Sequence, residues 1–415
     1  MAPGTTGLAS PEAMAGLRGC VHCGICLPHC PTYQVLGEEM DSPRGRLYLM
    51  RAVAEGRLDR TETYMHHLDL CLGCRACETA CPAGVPFGSL LETARVDIAR
   101  QGRRRLLVSL LFAVLPYPER MLSMLGLAAL WRRAGLQRLA RSTGLLARFP
   151  RLAAMDALLG DIPAAEPLPE LIPARGTRRG RVGLLTGCVQ RHLYPGVNRD
   201  TARLLSLAGY DVVIPRAQGC CGALELHAGR LDALRGRAVA LAAAFPAGLD
   251  WIVSNAAGCG STMREYHHWV TDPAVERLAQ RTRDVSELLL DADLPLSRLE
   301  RTVAYHDACH LSHGQGVRAA PRALLRRIPG LTLVELQGGE VCCGSAGIYN
   351  ILEPAMADEL LALKLDRIVE SGARTLVAGN PGCLMQIARG CRSRGLDVEV
   401  LHPVTLVAEA AGLRP

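Results

Sequence analysis

Seventeen cysteines in 415 residues carry most of the chemistry open to this chain. Eight fall in one run used twice: Cys20, Cys23, Cys26 and Cys30 ahead of Pro31, then Cys71, Cys74, Cys77 and Cys81 ahead of Pro82. Three thiolates spaced two residues apart reach three corners of an iron–sulfur cube from one turn of backbone. The fourth, three residues further on and followed by proline, points away and serves a second cube. The spacing predicts two [4Fe–4S] clusters, one held by Cys20, Cys23, Cys26 and Cys81, the other by Cys71, Cys74, Cys77 and Cys30. Structural zinc is the competing use of such thiolates, but it favours paired C-x2-C hooks separated by longer loops.

Eight more cysteines form a longer repeat. Cys188, the pair Cys220 and Cys221 before Gly222, and Cys259 return as Cys309, Cys342 and Cys343 before Gly344, and Cys383, at offsets of 121, 122 and 124 residues. Chance burial does not repeat its spacing. Vicinal cysteines put two soft sulfurs on adjacent residues, and the glycine behind them lets backbone pass close to a bulky group. Each set of four is a candidate redox or metal site, for an iron–sulfur cluster, a zinc ion or a redox-active thiol pair. Cys391 stands outside both patterns and reads as a small buried hydrophobe. His306, His310 and His313 flank Cys309, either to poise a thiolate and orient a ligand or as satisfied loop histidines. His22 and His29 lie inside the first run, placed to tune or shield a cluster rather than to ligate it. Residues 314–319 match G-x-G-x-x-A in part, but begin too far after their strand for a dinucleotide site. No Walker loop, nucleophile elbow, flavin site or organic-substrate pocket is legible, and no catalytic residue is assigned.

These thiolates need elements that deliver them to common points. Residues 46–54 and 61–70 show helical spacing of apolar side chains, and more helices are expected over 96–155, broken at Pro116, Pro118 and Pro150. A linker rich in proline and arginine covers 161–180. Beyond it, short β-branched runs at 182–185, 211–214, 251–253, 303–305, 331–336, 375–377 and 398–401 alternate with helical stretches. That alternation predicts parallel sheets in an α/β architecture. Every cysteine element follows a strand by a few residues. Loops at the carboxyl ends of parallel strands share one rim, so each set of four should converge.

Composition removes other classes. At 49% hydrophobic and 21% charged residues the chain is too apolar to be disordered. No uncharged apolar run reaches the ~20 residues of a spanning helix. Aromatic residues at 4% argue against base-stacking platforms for nucleic acid. The first nineteen residues lack a basic start followed by an apolar stretch, so the cysteines are expected in a reducing compartment, for metal or redox work. Lys364 is the only lysine, and the net charge of +7 is local: residues 103–151 hold ten arginines against Glu119 alone, and the rest sums to −2. There Arg103, Arg104 and Arg105 precede an apolar stretch at 106–115, and a second at 121–131 precedes Arg132 and Arg133. Short apolar helices flanked by arginine suit a membrane interface or a partner's groove.

Two such runs followed by two Cys-Cys-Gly (CCG) domains resemble the iron–sulfur subunits of membrane-associated respiratory dehydrogenases: those of glycolate oxidase, anaerobic glycerol-3-phosphate dehydrogenase, lactate oxidation and heterodisulfide reductase. Ser42 to Arg46 (Ser-Pro-Arg-Gly-Arg), His306 to Leu311 around Cys309, Gly258-Cys259-Gly260 and Asn380 to Cys383 resemble the glycolate oxidase and lactate-type members. Length and domain order are most similar to the glycolate oxidase iron–sulfur subunit. The fuller CCG pattern ends in C-x2-C, whereas Ala256 and Asn380 stand at the earlier position here. That departure argues against an enlarged noncubane cluster in either copy.

Residues and resemblance together imply an α+β multidomain chain. An all-α double-cluster ferredoxin module is expected over 1–100, a basic helical connector and linker over 101–178, and two similar α/β CCG domains with parallel sheets over 179–295 and 296–415. The resemblance further implies an electron-transfer subunit of a flavin-dependent respiratory glycolate (2-hydroxy-acid) dehydrogenase. It would carry two [4Fe–4S] clusters and a further iron–sulfur centre in the CCG domains, with FAD only on a partner subunit of a hetero-oligomer. It would pass electrons towards the quinone pool from a peripheral position on the cytoplasmic face of the inner membrane, without nucleic acid. The rival readings are a lactate or anaerobic glycerol-3-phosphate counterpart, a heterodisulfide-reductase-like thiol enzyme working at a CCG site, and a scaffold whose clusters only hold the fold.

Overall fold

A computed structural model describes residues 7–101, 106–164 and 167–414. The chain is helical from Pro11–Arg18 to Phe87–Arg100, with no strand among the described residues there. Helix starts follow from local chemistry. Ser42 accepts from the Gly45 N–H and Pro43 opens helix Pro43–Ala54, while Thr61 accepts from the Tyr64 N–H to cap Glu62–Asp69. Leu17, Leu47, Met50, Leu68, Phe87 and Leu91 pack around Cys71 and Cys77 as the core of this part.

Helices Leu106–Val114, Pro118–Arg133, Leu136–Ser142 and Pro150–Leu158 follow. Pro118 and Pro150, read above as breaks, are each the first residue of a helix, where a missing N–H costs nothing. Arg103, Arg104 and Arg105 lie outside the described residues.

Two sheets come next. The first holds β1 (Leu171–Ile172), β2 (Gly180–Leu185), β3 (Tyr210–Val213), β4 (Trp251–Ser254) and β5 (Thr282–Asp284), in the order β1-β3-β2-β4-β5. The second holds β6 (Arg301–His306), β7 (Leu331–Glu335), β8 (Thr375–Ala378) and β9 (Glu399–Leu401), in the order β7-β6-β8-β9. Without β1 the two orders are the same, so the cysteine repeat is also a repeat of topology. All pairings within the two copies are parallel, as expected, and part of the linker adds β1 as an antiparallel edge on β3. The central strands are buried on both faces, as continuous apolar runs require. One core joins the copies, with Val182, Leu184 and Leu204 of the first packed with Val303, Leu325 and Leu406 of the second.

Candidate metal centres

In the helical part, one void is lined by Cys20, Cys23, Cys26 and Cys81, with Cys77, His22 and Arg44 on its wall. A second is lined by Cys30, Cys71, Cys74 and Cys77, with His29, Thr32 and Arg46. Cys77 borders both. Cys23 is exposed, whereas Cys30, Cys71, Cys74 and Cys77 are buried. Burial pushes the Cys26 thiol up to about 11 and the Cys74 and Cys77 thiols well above their ordinary value. The four buried sulfurs around the second void are stable as thiolates only with a compensating cation, and at both voids the gathered soft sulfur suits iron or zinc. The donor set therefore fits a cluster at each void.

The Ser-Pro-Arg-Gly-Arg stretch supports both voids. Arg44 donates to Glu39 at 2.7 Å and to the His22 carbonyl at 3.3 Å. Arg46 is almost fully buried. It donates to the His67 carbonyl at 2.7 Å, Thr32 Oγ1 at 3.0 Å and Asp41 Oδ1 at 3.2 Å, and its Nη1 lies 3.9 Å from Cys30 Sγ. Between them Gly45 is obligatory, because a Cβ there would fall 1.9 Å from the Glu39 carbonyl oxygen. The motif was legible as a resemblance; its physical role was not.

In each α/β copy the thiols form a chain. Cys188 and Cys220 sulfurs are 3.5 Å apart, Cys221 bonds Cys220 and Cys259, and the Gly222 N–H donates to Cys220 at 3.4 Å. Hydrogen bonding with Cys188 and Cys221 holds Cys220 well below the usual thiol range. In the second copy Cys309 meets Cys342, Cys342 meets Cys343, and Cys343 meets Cys383. Topology explains the convergence. Cys188 and Cys309 follow β2 and β6, and Cys259 and Cys383 sit in the first turns of helices Ala257–Arg264 and Pro381–Arg394. The CCG glycines serve the backbone rather than a bulky ligand: Gly222 and Gly344 adopt φ of +79° and +84°, and a Cβ would meet Leu234 and the Ala357 carbonyl.

The histidines divide. His306 is buried, with a ring nitrogen within 4.8 Å of the Cys343 and Cys383 sulfurs. His310 Nδ1 is 3.4 Å from Cys309 Sγ, and its ring lies tilted with its centroid 5.1 Å from that of His227, which meets the Glu92 carboxyl at 3.1 Å. His313 meets Thr79 Oγ1 at 2.9 Å and is a contact to the helical part. His22 and His29 are exposed at the walls of the two voids. The partial glycine motif is a turn between the copies, where Gln315 donates to the Ala257 carbonyl at 3.0 Å. Cys391 is buried in the core of the second copy.

The four cysteine sets stand in a row. Cys77 links the two voids, and Cys74 shares a small core with Cys342, against which Cys309 packs. Tyr349 donates to the Leu70 carbonyl at 3.0 Å across the same junction. Asn380 then joins the copies, donating to Cys383 Sγ at 3.7 Å and accepting from the Gly258 N–H at 3.2 Å, on the helix that carries Cys259. Arg75 fastens the first copy to the helical part through Glu78 at 2.9 Å and Glu265 at 2.6 Å. A cavity of about 610 Å³, which no motif signalled, lies where the helical part, the connector helices and both copies meet, with Cys71, Arg95, Phe112, Tyr117, His227 and Tyr349 in its wall.

On the connector, Leu106, Leu110, Leu122, Leu127, Leu130 and Trp131 are exposed. Helices Leu106–Val114 and Pro118–Arg133 meet at 104°, and among the described residues no single helix is long and apolar enough to cross a membrane.

Residues 16–85 match the 4Fe-4S dicluster domain, 182–264 and 303–388 each match the cysteine-rich CCG domain, and 103–159 match the linker region of the glycolate oxidase iron–sulfur subunit. The chain is 39% identical to the probable glycolate oxidase iron–sulfur subunit of Bacillus subtilis, over 95% of this chain and 94% of that protein. It is 36% identical to the glycolate oxidase iron–sulfur subunit of Escherichia coli, over 96% and 95% respectively. Lactate utilization protein A of Oceanobacillus iheyensis is 32% identical over 54% of this chain and 94% of its own length.

Proposed function

The chain belongs to the family of glycolate oxidase iron–sulfur subunits, and on that premise we propose that it carries single electrons from FAD on a partner subunit, where glycolate is oxidised, towards membrane quinone. The observation that carries this reading is the unbroken row of cysteine sets, from the exposed Cys23 to the buried CCG thiols. When bound, [4Fe–4S] clusters accept and release one electron at a time, so two of them can split the pair held by a reduced flavin. In this reading Cys20, Cys23, Cys26 and Cys81 hold one cluster and Cys71, Cys74, Cys77 and Cys30 the other, while the CCG sets hold a further metal or redox centre. Arg44 and Arg46 favour the added electron by their charge. Val21 and Ile25, apolar and exposed beside Cys23, support a docking face for a partner at that end. The exposed leucines of the connector, among arginines, support peripheral contact with an anionic membrane.

Anaerobic protein should contain iron with two spectroscopically distinct [4Fe–4S] signals. Cys23→Ser and Cys74→Ser should each remove one of them. Zinc in place of iron would end the electron-transfer reading.

A further inference from the structure

The second CCG set differs from the first in one donor. His306 and Leu185 occupy equivalent positions, each three residues before the first cysteine of its copy. Leu185 is a core residue of the first copy. The His306 ring is equally buried but polar, and its two nitrogens have unequal surroundings. One donates to the Gly339 carbonyl. The other, Nδ1, has no hydrogen-bond partner although it is buried. An orphaned buried nitrogen is expensive, and a structure tolerates one where something else completes it. A ring nitrogen of His306 lies within 4.8 Å of the Cys343 and Cys383 sulfurs, which are themselves buried. Donors around one tetrahedral ion bonded at ~2.0–2.3 Å sit under ~4 Å apart, so a small contraction closes the set.

The surroundings point the same way. A proton fixed on the nitrogen facing Gly339 leaves Nδ1 with a free lone pair, the tautomer in which histidine ligates. Lys364, the only lysine of the chain, is buried beside these thiols and donates to the Gly338 and Gly339 carbonyls at 2.9 and 3.2 Å. It adds positive charge where thiolates gather, and it braces the carbonyl that orients the imidazole. The equivalent stretch of the first copy, residues 240–242, is Ala-Leu-Ala. Asn380, at the position of the absent fifth cysteine, is turned to donate to Cys383 and offers no replacement thiolate.

We propose that His306 is a metal ligand: the second CCG set binds a borderline-soft transition metal, iron or zinc, through His306 Nδ1 together with Cys343 and Cys383, while the first set is served by sulfur alone. The two copies are then chemically different centres. This rests on the reading that a CCG set takes a metal, and it goes beyond it by naming the donor and the copy.

The test counts iron and zinc per chain in anaerobically purified full-length protein and in its His306→Ala, Cys383→Ala and doubly substituted variants. The expected result is that His306→Ala loses the same metal as Cys383→Ala and that the double variant loses no more. Exogenous imidazole should restore the metal to His306→Ala but not to Cys383→Ala. The visible spectrum of the N-terminal clusters, unchanged throughout, reports folding. Should the alanine variant not fold, His306→Gln carries the same comparison. Metal retained in the His306 variant, or lost and not restored by imidazole, overturns the assignment alone. No metal in the unmodified protein beyond that of the N-terminal clusters overturns the assignment together with the CCG-centre reading.

Discussion

Replacing Arg46 by methionine removes a buried guanidinium whose Nη1 lies 3.9 Å from Cys30 Sγ, and leaves Asp41 in place. Two unit charges at that separation interact by ~4 kcal/mol at an effective dielectric of ~20. An electron added to a cluster spreads over the whole cube, further from the arginine than the sulfur is, so ~1–2 kcal/mol is the usable part. For a one-electron couple that corresponds to ~40–90 mV. Loss of a cation disfavours the added electron, so the potential of the cluster proposed at Cys30, Cys71, Cys74 and Cys77 should fall by that amount while the other cluster shifts less. Breaking a buried pair should also cost ~3–5 kcal/mol of stability. Arg46→Met combined with Asp41→Leu removes both charges and should return most of the potential and much of the stability. The assay is an anaerobic redox titration followed by electron paramagnetic resonance, with thermal loss of the visible cluster absorbance as the stability readout. A single-variant shift under ~20 mV, or a double variant shifted as far as the single one, would refute the electrostatic account.

Gly45→Ala should lower the thermal midpoint, by the equivalent of ~1–3 kcal/mol, because the overlap with the Glu39 carbonyl outweighs the gain in helix propensity; a variant as stable as the parent would contradict it. Burial raises the Glu92 carboxyl to about 7 and lowers His227 to about 4. The Glu92 contribution is complete below its unfolded value and lost as pH rises through 7. The His227 contribution grows from pH 4 to its unfolded value near ~6.5, so the two slopes oppose at acid pH and a net decline is left between ~6.5 and ~7. Glu92→Gln should abolish that decline between pH 6.5 and 8 in denaturant midpoints, and parallel curves for the two proteins would refute it. Leu127→Asp with Leu130→Asp should shift the protein out of the membrane fraction without lowering its thermal midpoint. Alkaline carbonate or high salt should release the unaltered protein without detergent, since lipid-surface attraction is screened within ~8 Å at physiological salt; a detergent requirement would exclude surface binding.

Local signals were legible and relational ones were not. The cysteine runs declare themselves because their spacing is the chemistry, and seven strands declare themselves because buried parallel strands must be apolar throughout. Strand β5 (Thr-Arg-Asp) has no apolar run and is a strand only through its pairing with β4, and β1 is two residues inside a stretch rich in proline. Arg44, Gly45 and Arg46 were quoted as a resemblance, but their work depends on Glu39, Asp41 and His67, which no periodicity relates to them. The meeting of Cys74 with Cys309 and Cys342 joins residues more than two hundred positions apart. It follows from how the domains dock, and the same is true of the cavity beside Cys71.

Why two copies with one strand order should diverge at their cysteine rims follows from that docking. The helices after β4 and β8 meet end to end, with the Ala257 N–H donating to the Gly379 carbonyl at 3.0 Å and Asn380 reaching Gly258. Rims set against each other in this way do not have equal access to a third body. The second copy takes it: Cys309 and Cys342 pack with Cys74, and Tyr349 ties the contact to Leu70. The first copy reaches the helical part through Val96, which packs in its core, and through His227 to Glu92 and Glu265 to Arg75. Strand residues that face the core shared by both copies remain interchangeable in kind, as Val182 and Val303 show. Divergence falls where neighbours differ. Leu185 against His306, Ala256 against Asn380, and the Ala-Leu-Ala stretch against Lys364 all lie around the thiols, and in each pair the polar residue belongs to the copy beside the N-terminal cysteines.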